Sequence, residues 1–148
     1  MLKQKIYKHY LQIINDKINT LQHVLADLKE SSANETKSTA GDKHETALAM
    51  LQIEQANTRG QLKDLQDKKA LLEKINPALS VDKIVNGSLI KTDRGYLFMS
   101  IALGKTIVEG ITVIALSPQS PLGIQLMGLL VGDVAAINDS KYVIESIE

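Results

Sequence analysis

The apolar residues Tyr7, Leu11, Ile14, Ile18, Leu21, Leu25 and Leu28 recur at alternating steps of four and three. That is the a/d spacing of a coiled-coil seam, because a 3.5-residue repeat keeps one narrow face turned toward a partner helix. Lys8, Gln12, Asn15, Asp16, Lys17, Gln22, Asp27 and Lys29 fall between them, as a solvated face requires. Neither Gly nor Pro interrupts residues 1–40, so the pattern predicts one long helix. A second series repeats the spacing: Leu48, Leu51, Gln55, Thr58, Leu62, Leu65, Lys69 and Leu72, with polar substitutes at Gln55, Thr58 and Lys69. Pro77 cannot continue a helix and biases Asn76 away from helical dihedrals, which ends the second arm. Each arm is then about 30 residues, on the order of 45 Å at 1.5 Å per residue.

Between the arms, residues 33–46 are small and polar and contain Gly41. Two seams joined by such a turn fold back as an antiparallel pair. A parallel dimer running straight through the turn is the less favoured alternative, because Gly41 and the polar run interrupt it. The polar seam residues toward the tip weaken core packing there. Either the distal end is allowed to fray, or it is a probe shaped for a narrow polar space.

Beyond a linker at 77–84 the periodicity changes from heptads to short apolar or β-branched runs. These are Val85–Lys91, Tyr96–Leu103, Lys105–Val108, Ile111–Leu116, Asp133–Ile137 and Tyr142–Ile147. Turn signals separate them at Asp93-Arg94-Gly95, Gly104, Glu109-Gly110 and Asn138-Asp139-Ser140. Ser120 followed by Pro121 is a helix start, an N-cap with proline at the first helical position, and Gly128 is a stop. The expected architecture is α+β, with an antiparallel coiled-coil hairpin over 1–76 followed by a small antiparallel sheet domain over 85–148 carrying one short helix.

Composition narrows the function classes. The 148 residues hold 17 basic and 17 acidic side chains, and neither half is far from neutral. Residues 1–81 carry 12 basic and 10 acidic groups, residues 82–148 carry 5 and 7. A broad grip on nucleic acid needs a clustered positive surface, which this distribution does not supply. Four Tyr, one Phe and no Trp leave few stacking platforms for single strands or walls for a proline-binding pocket. No cysteine means no disulfide, thiolate zinc site or cysteine nucleophile. No apolar run approaches a membrane span, and the start lacks the core of a signal peptide, so a cytoplasmic protein is expected.

Chemistry-bearing residues concentrate at the turn. Glu35, Asp42 and Glu45 place three carboxylates in the acidic tip near 34–46. Asp42-Lys43-His44-Glu45 is a capping-box pattern, an N-cap acid with Glu at the third helical position. Glu35 is expected to be solvated charge. His44 has no third strong ligand beside it for a metal site, and His9 and His23 read as surface residues of the first arm. The sheet half contains no histidine, no Gly-rich phosphate loop and no catalytic set. Lys91, Asp93 and Arg94 gather at what reads as a solvated hairpin end.

Taken in order, these features resemble the Gre transcript cleavage factors of bacteria. The resemblance is carried by Gly41-Asp42-x-x-Glu45 at the tip, by Ser120-Pro121-Leu122 through Leu126-Met127-Gly128, and by Gly132-Asp133-Val134. It covers nearly the whole chain, including arm length. It implies an FKBP-like sheet domain that docks on RNA polymerase, with Ser120, Pro121, Leu122, Leu126, Met127 and Gly128 at the contact. It further implies a hairpin that enters the polymerase secondary channel and carries Asp42 and Glu45 to the active site. There the two would act as catalytic carboxylates and share a Mg²⁺ ion with the polymerase, in a two-metal hydrolysis of backtracked RNA. On this reading the chain has no cofactor of its own and is not itself the enzyme. It meets nucleic acid only within the polymerase complex, has no membrane partner, and works as a monomer.

The chain departs from the family pattern in two places, which marks a divergent branch. Family tips commonly continue with Asn and then Glu-Tyr after the second acid; Thr46-Ala47-Leu48-Ala49-Met50 stand here. The loop before the last strand is shortened to Asn138-Asp139-Ser140, without the usual Pro-Gly-Gly. The first departure leaves open a second function, a channel-occupying regulator that does not cleave. Prolyl isomerisation, a third candidate suggested by an FKBP-like sheet, finds only Tyr96, Phe98 and Tyr142 for its pocket.

Overall fold

The structure, a computed structural model, describes the backbone of residues 1–36 and 42–148 and the side chains of residues 1–34 and 45–148. Two long helices come first, α1 (Leu2–Thr36) and α2 (Asp42–Glu73). They are followed by β1 (Leu89–Thr92), β2 (Gly95–Met99), β3 (Gly104–Val108), β4 (Ile111–Leu116), α3 (Pro121–Leu126), β5 (Val134–Ile137) and β6 (Ser140–Ile147). The fold is α+β, a helical hairpin and a mostly antiparallel six-stranded sheet with one short helix. Two compact units result: one is Ile13–Asp67, the other joins Met1–Gln12 to Lys68–Glu148. Among the described residues no helix is long and apolar enough to cross a membrane.

Within Ile13–Asp67 the helices pair antiparallel along the expected seams. Ile14 and Ile18 are buried and Leu21, Leu25 and Leu28 half-buried on α1. On α2, Gln55 and Thr58 are buried and Leu48, Leu51, Leu62 and Leu65 half-buried. Direction follows from the contacts: Leu21 and Leu65 line one cavity, whereas farther along α1 Leu28 and Ser32 meet Gln55. The polar seam residues are satisfied rather than frayed. The Gln55 amide donates to the Leu28 carbonyl at 3.3 Å and to the Ser32 hydroxyl, and its oxygen accepts from Arg59. Thr58 donates to the Glu54 carbonyl one turn back at 2.8 Å. Leaving such groups buried without partners would cost about 1–3 kcal/mol each.

In the other unit the buried stripe of α1 shifts by one position. Lys3, Ile6 and Tyr10 are buried, while Tyr7 and Leu11, which the heptad spacing assigns to the seam, are only half-buried. The cause is a second neighbour, the sheet. Tyr10 stacks on Phe98 with ring centroids 6.1 Å apart, and its hydroxyl reaches the Gly104 carbonyl at 2.7 Å and the Val113 carbonyl at 3.0 Å. His9 hydrogen-bonds Thr106 at 2.9 Å, and Lys5 pairs with the exposed Glu109 at 2.9 Å.

The sheet order is β3-β4-β2-β1-β6-β5. Every pairing is antiparallel except β2 with β4, which run parallel in the register Tyr96↔Val113 to Met99↔Leu116. This departs from an all-antiparallel sheet. The Glu109-Gly110 turn folds β3 back on the outer side of β4, so β4 runs alongside β2 in the same direction. Both turn residues have positive φ, 50° and 78°, the requirement of a two-residue hairpin loop whose twist matches its strands. The first expected strand is shorter than its apolar run: Val85–Ser88 form a turn held by Val85 N–H to the Ser88 hydroxyl, and β1 begins at Leu89. The second stops at Met99, four residues before Leu103.

Leu97, Phe98 and Met99 are all buried because both sheet faces are covered. On one face lies a core of Ile84, Ile90, Leu97, Met99, Leu116, Leu126, Ala135 and Ile144. Phe98 carries the stack with Tyr10 on the other.

Candidate functional site

The sequence places functional residues in two regions, the tip and the stretch from Ser117 to Val134. At the tip, α2 starts at Asp42, and Glu45 follows three residues later, within the first helical turn. Glu45 is exposed. The side chains of Glu35, Asp42 and His44 lie outside the described residues, as does any cap made by Asp42. Among the described residues no cluster of three His, Asp or Glu side chains is placed to hold a metal.

The second region is built outward from the α3 cap. Ser120 has extended backbone, and its hydroxyl accepts from Gly123 N–H at 3.0 Å and donates to the Ser117 carbonyl at 2.6 Å. Pro121 follows at the first helical position, where no N–H is needed. Gly123 is obligatory for this arrangement, since a Cβ there would lie 2.1 Å from the Ser117 carbonyl oxygen. The helix ends at Met127, and Gly128, at φ +83°, turns the chain so that its N–H bonds the Ile84 carbonyl at 2.8 Å.

That geometry sorts the six residues assigned to a polymerase contact. Leu126 is fully buried in the core and Leu122 packs partly against it. Ser120 is occupied by capping. Pro121, Met127 and Gly128 are exposed. Joining them are residues outside that set of six: Ile124 is 61% exposed, Leu130 51%, Val131 58% and Val134 51%. So much exposed aliphatic surface in one short stretch is unusual for a helix and turn that also feed a core.

Leu130 and Val131 are held out by a turn. Asp133 accepts the Leu130 N–H on its carboxylate at 2.8 Å, and its own N–H bonds the Leu130 carbonyl at 3.0 Å. Gly132, at φ +93°, supplies the left-handed third position of a type II turn. The Gly132-Asp133 pair of the motif thus has a mechanical role, fixing two apolar side chains at a turn apex. A signal for this existed in the sequence: Leu122, Leu126 and Leu129 suffice for the inward face, so Ile124, Leu130 and Val131 are surplus to it.

A cavity of about 240 Å³ lies beside the segment leading into α3, lined by Lys68, Leu71, Ser100, Ile101 and Ser117–Gln119 among others. Leu71 gives it an exposed apolar wall, and Lys68 donates to the Ala102 carbonyl at 3.3 Å. Lys91, Asp93 and Arg94 do gather at a hairpin end. Their roles there include holding it, as Asp93 accepts from Val143 N–H and Arg94 donates to the Lys141 carbonyl while lying over the Tyr142 ring.

No family model matches this chain, and no curated protein matches it. Among solved structures it is similar to the GreA factor homolog 1 (Gfh1) protein of Thermus thermophilus. Identity is 16%, with 93% of this chain and 94% of that chain covered and a TM-score of 0.37. A structure described as that of the transcription factor Gfh1 aligns at 17% identity over 93% and 92% of the two chains, also with a TM-score of 0.37. A likeness of this degree assigns no function.

Proposed function

We propose that this chain is a transcription elongation factor that binds RNA polymerase through the surface around α3 and the Leu130–Asp133 turn. Its hairpin enters the secondary channel of the polymerase, and Asp42 and Glu45 reach the active site. The observation that carries the reading is the exposed set Ile124, Met127, Leu130 and Val131, held out by the very residues of the Ser120–Asp133 motif that resembles the Gre factors. An apolar surface built on a rigid cap and turn suits docking to a protein partner.

Asp42 and Glu45 would hold a Mg²⁺ ion jointly with the polymerase. Such an ion polarises phosphoryl oxygens and lowers the pKa of bound water. This chain's contribution is positional: carboxylates at the start of α2 supply hard oxygen ligands and accept a hydrogen bond from, or a proton of, the attacking water. The chain is then a cofactor, and the polymerase performs the cleavage.

A second reading rests on Thr46-Ala47-Leu48-Ala49-Met50, which carry none of the Asn and Glu-Tyr groups that follow the second acid in Gre tips. Met50 is 60% exposed and offers the tip end an apolar rather than a polar surface. The chain would then occupy the channel without promoting cleavage. A halted polymerase complex carrying end-labelled, backtracked RNA separates the two. Mg²⁺-dependent shortening that disappears in Asp42→Ala and Glu45→Ala supports the cleavage factor. Shortening undiminished in both variants refutes the role of these acids, and binding without shortening selects the second reading.

A further inference from the structure

We propose that the outer face of α2 between Glu45 and Lys63 is a self-association surface, on which a second copy of this chain packs its own α2 antiparallel. Leu48, Leu51, Gln55, Thr58, Leu62 and Leu65 of this helix serve the hairpin seam. Another series with the same steps of three and four runs along the side away from that seam: Thr46, Ala49, Ile53, Ala56 and Gly60, with Met50 and Asn57 next to it. All seven are exposed, Ile53 at 61% and Met50 at 60%. None carries a charge. Glu54 and Arg59 are the charged residues between Glu45 and Lys63, and at about 100° per residue both lie about 100° or more away from Ile53. A helix that serves one neighbour needs one apolar stripe; this one carries two.

The second stripe is complementary to itself when reversed. In the antiparallel register that sets seam position on seam position, Ile53 of one copy lies opposite Ala56 of the other, and Ala49 opposite Gly60. The large residue thus meets a small one. Nothing lies within 4 Å of a Cβ built on Gly60, so the surface there is open to close approach. Ala and Gly at the contact let the helix axes come to about 8 Å, the short end of helix packing. Charge fits the same register. Glu45 and Lys63 stand on the same flank of the stripe, about five turns apart, and reversal brings Glu45 of each copy beside Lys63 of the other. Lys63 pairs with Asp67 at 2.9 Å, but its side chain is 74% exposed and has further N–H groups for a second acceptor. Parallel in-register packing instead sets Ile53 on Ile53 and Gly60 on Gly60, large on large and gap on gap.

The contact extends about 27 Å along one pair of helices, which is small for a stable interface, so the expected dissociation constant is on the order of 10–100 µM. The pairing covers the arm that enters the polymerase channel under the function proposed above, and a paired copy is then held out of it. The self-association does not rest on that reading, and it is measured without polymerase.

The test is sedimentation equilibrium of the full chain from about 5 to about 500 µM, with a reversible monomer–dimer equilibrium expected. Ile53→Glu weakens it at least about tenfold by burying a charge. Gly60→Leu adds apolar surface, which strengthens unspecific association, yet here it weakens the dimer about tenfold because it collides with Ala49 of the second copy. Lys63→Glu weakens it about threefold, and Glu45→Lys in the same chain restores it. Circular dichroism shows that each variant keeps its helices. The chain has no cysteine, so introduced thiols report direction. Under mild oxidation Ala49→Cys and Gly60→Cys each stay uncrosslinked alone, like positions lying about 16 Å apart, and join when the two variants are mixed. A chain that stays monomeric throughout leaves this face to a different partner and overturns the proposal. So does a dimer unchanged in Ile53→Glu or tightened in Gly60→Leu, or Ala49→Cys that crosslinks by itself.

Discussion

Replacing Gly123 with alanine and Gly60 with alanine makes the same chemical change and should move stability in opposite directions. A Cβ at Gly123 would lie 2.1 Å from the Ser117 carbonyl oxygen, 2.8 Å from Ser120 Oγ and 3.0 Å from Pro118 Cα. The first and last of these are backbone atoms, so no rotamer change relieves the clash. Relief requires Ser117 to move, and its carbonyl accepts both the Ser120 hydroxyl at 2.6 Å and the Ser120 N–H at 3.0 Å. Overpacking of this kind costs about 1–3 kcal/mol, and loss of the cap adds about 1 kcal/mol. The gain in helix propensity from Gly to Ala returns about 1 kcal/mol. The net loss is thus about 1–3 kcal/mol. At Gly60, within α2, a Cβ would meet nothing within 4 Å, so the variant keeps only the gain of about 0.5–1 kcal/mol. Because the chain divides into two compact units, one unfolding midpoint is a poor measure. Native-state hydrogen exchange reads each unit separately, at the Ile144 amide for the sheet and at α2 amides for the hairpin. Gly123→Ala should lower protection at Ile144, and Gly60→Ala should raise it in α2. Protection at Ile144 equal to or above that of the parent chain in Gly123→Ala would refute the reasoning.

Two further outcomes follow from buried polar groups. Burial pushes the Tyr10 phenol up to about 12, against a backbone hydrogen bond from Ala115 that pulls it down. With an unfolded value near 10, its contribution is complete below pH 10 and is lost as pH rises toward 12, by up to about 2.7 kcal/mol. Urea melts at pH 9 and pH 11 should show about half of that fall, about 1.3 kcal/mol, in the parent chain and a smaller one in Tyr10→Phe, which at pH 7 is itself less stable by about 1–3 kcal/mol. An equal fall in both would exclude Tyr10 as the source. Gln55→Leu exchanges a satisfied polar seam residue for an apolar one and should raise hairpin stability by about 1 kcal/mol, since polar seam groups specify register at a cost in stability. Lowered hydrogen-exchange protection of the α2 amides around residue 55 would contradict this.

Much of the fold was legible because heptad spacing and turn residues act locally. The α2 seam from Leu48 to Leu72 is occupied as its periodicity predicts, and Ser120-Pro121 caps α3 as its residue types predict. What was not legible came from neighbours distant in sequence. The stripe of α1 moves to Ile6 and Tyr10 because Phe98 and the carbonyls of Gly104 and Val113, about a hundred residues away, draw Tyr10 inward. The parallel β2–β4 pair depends on which side of β4 the β3 hairpin lies, and no local pattern encodes that. In the stretch from Ser117 to Val134 the motif marked the scaffold better than the surface. Leu126 serves the core, and the exposed Ile124, Leu130 and Val131 are what the scaffold presents.

The most direct test of the account is equilibrium binding to purified bacterial RNA polymerase. Val131→Asp places a charge at the apex of the Leu130–Asp133 turn without touching the core, and should weaken binding at least about tenfold, a loss of about 1.4 kcal/mol. The double variant Asp42→Ala with Glu45→Ala should bind as tightly as the parent chain. No binding by the parent chain, or equal affinity in Val131→Asp, would contradict the central claim.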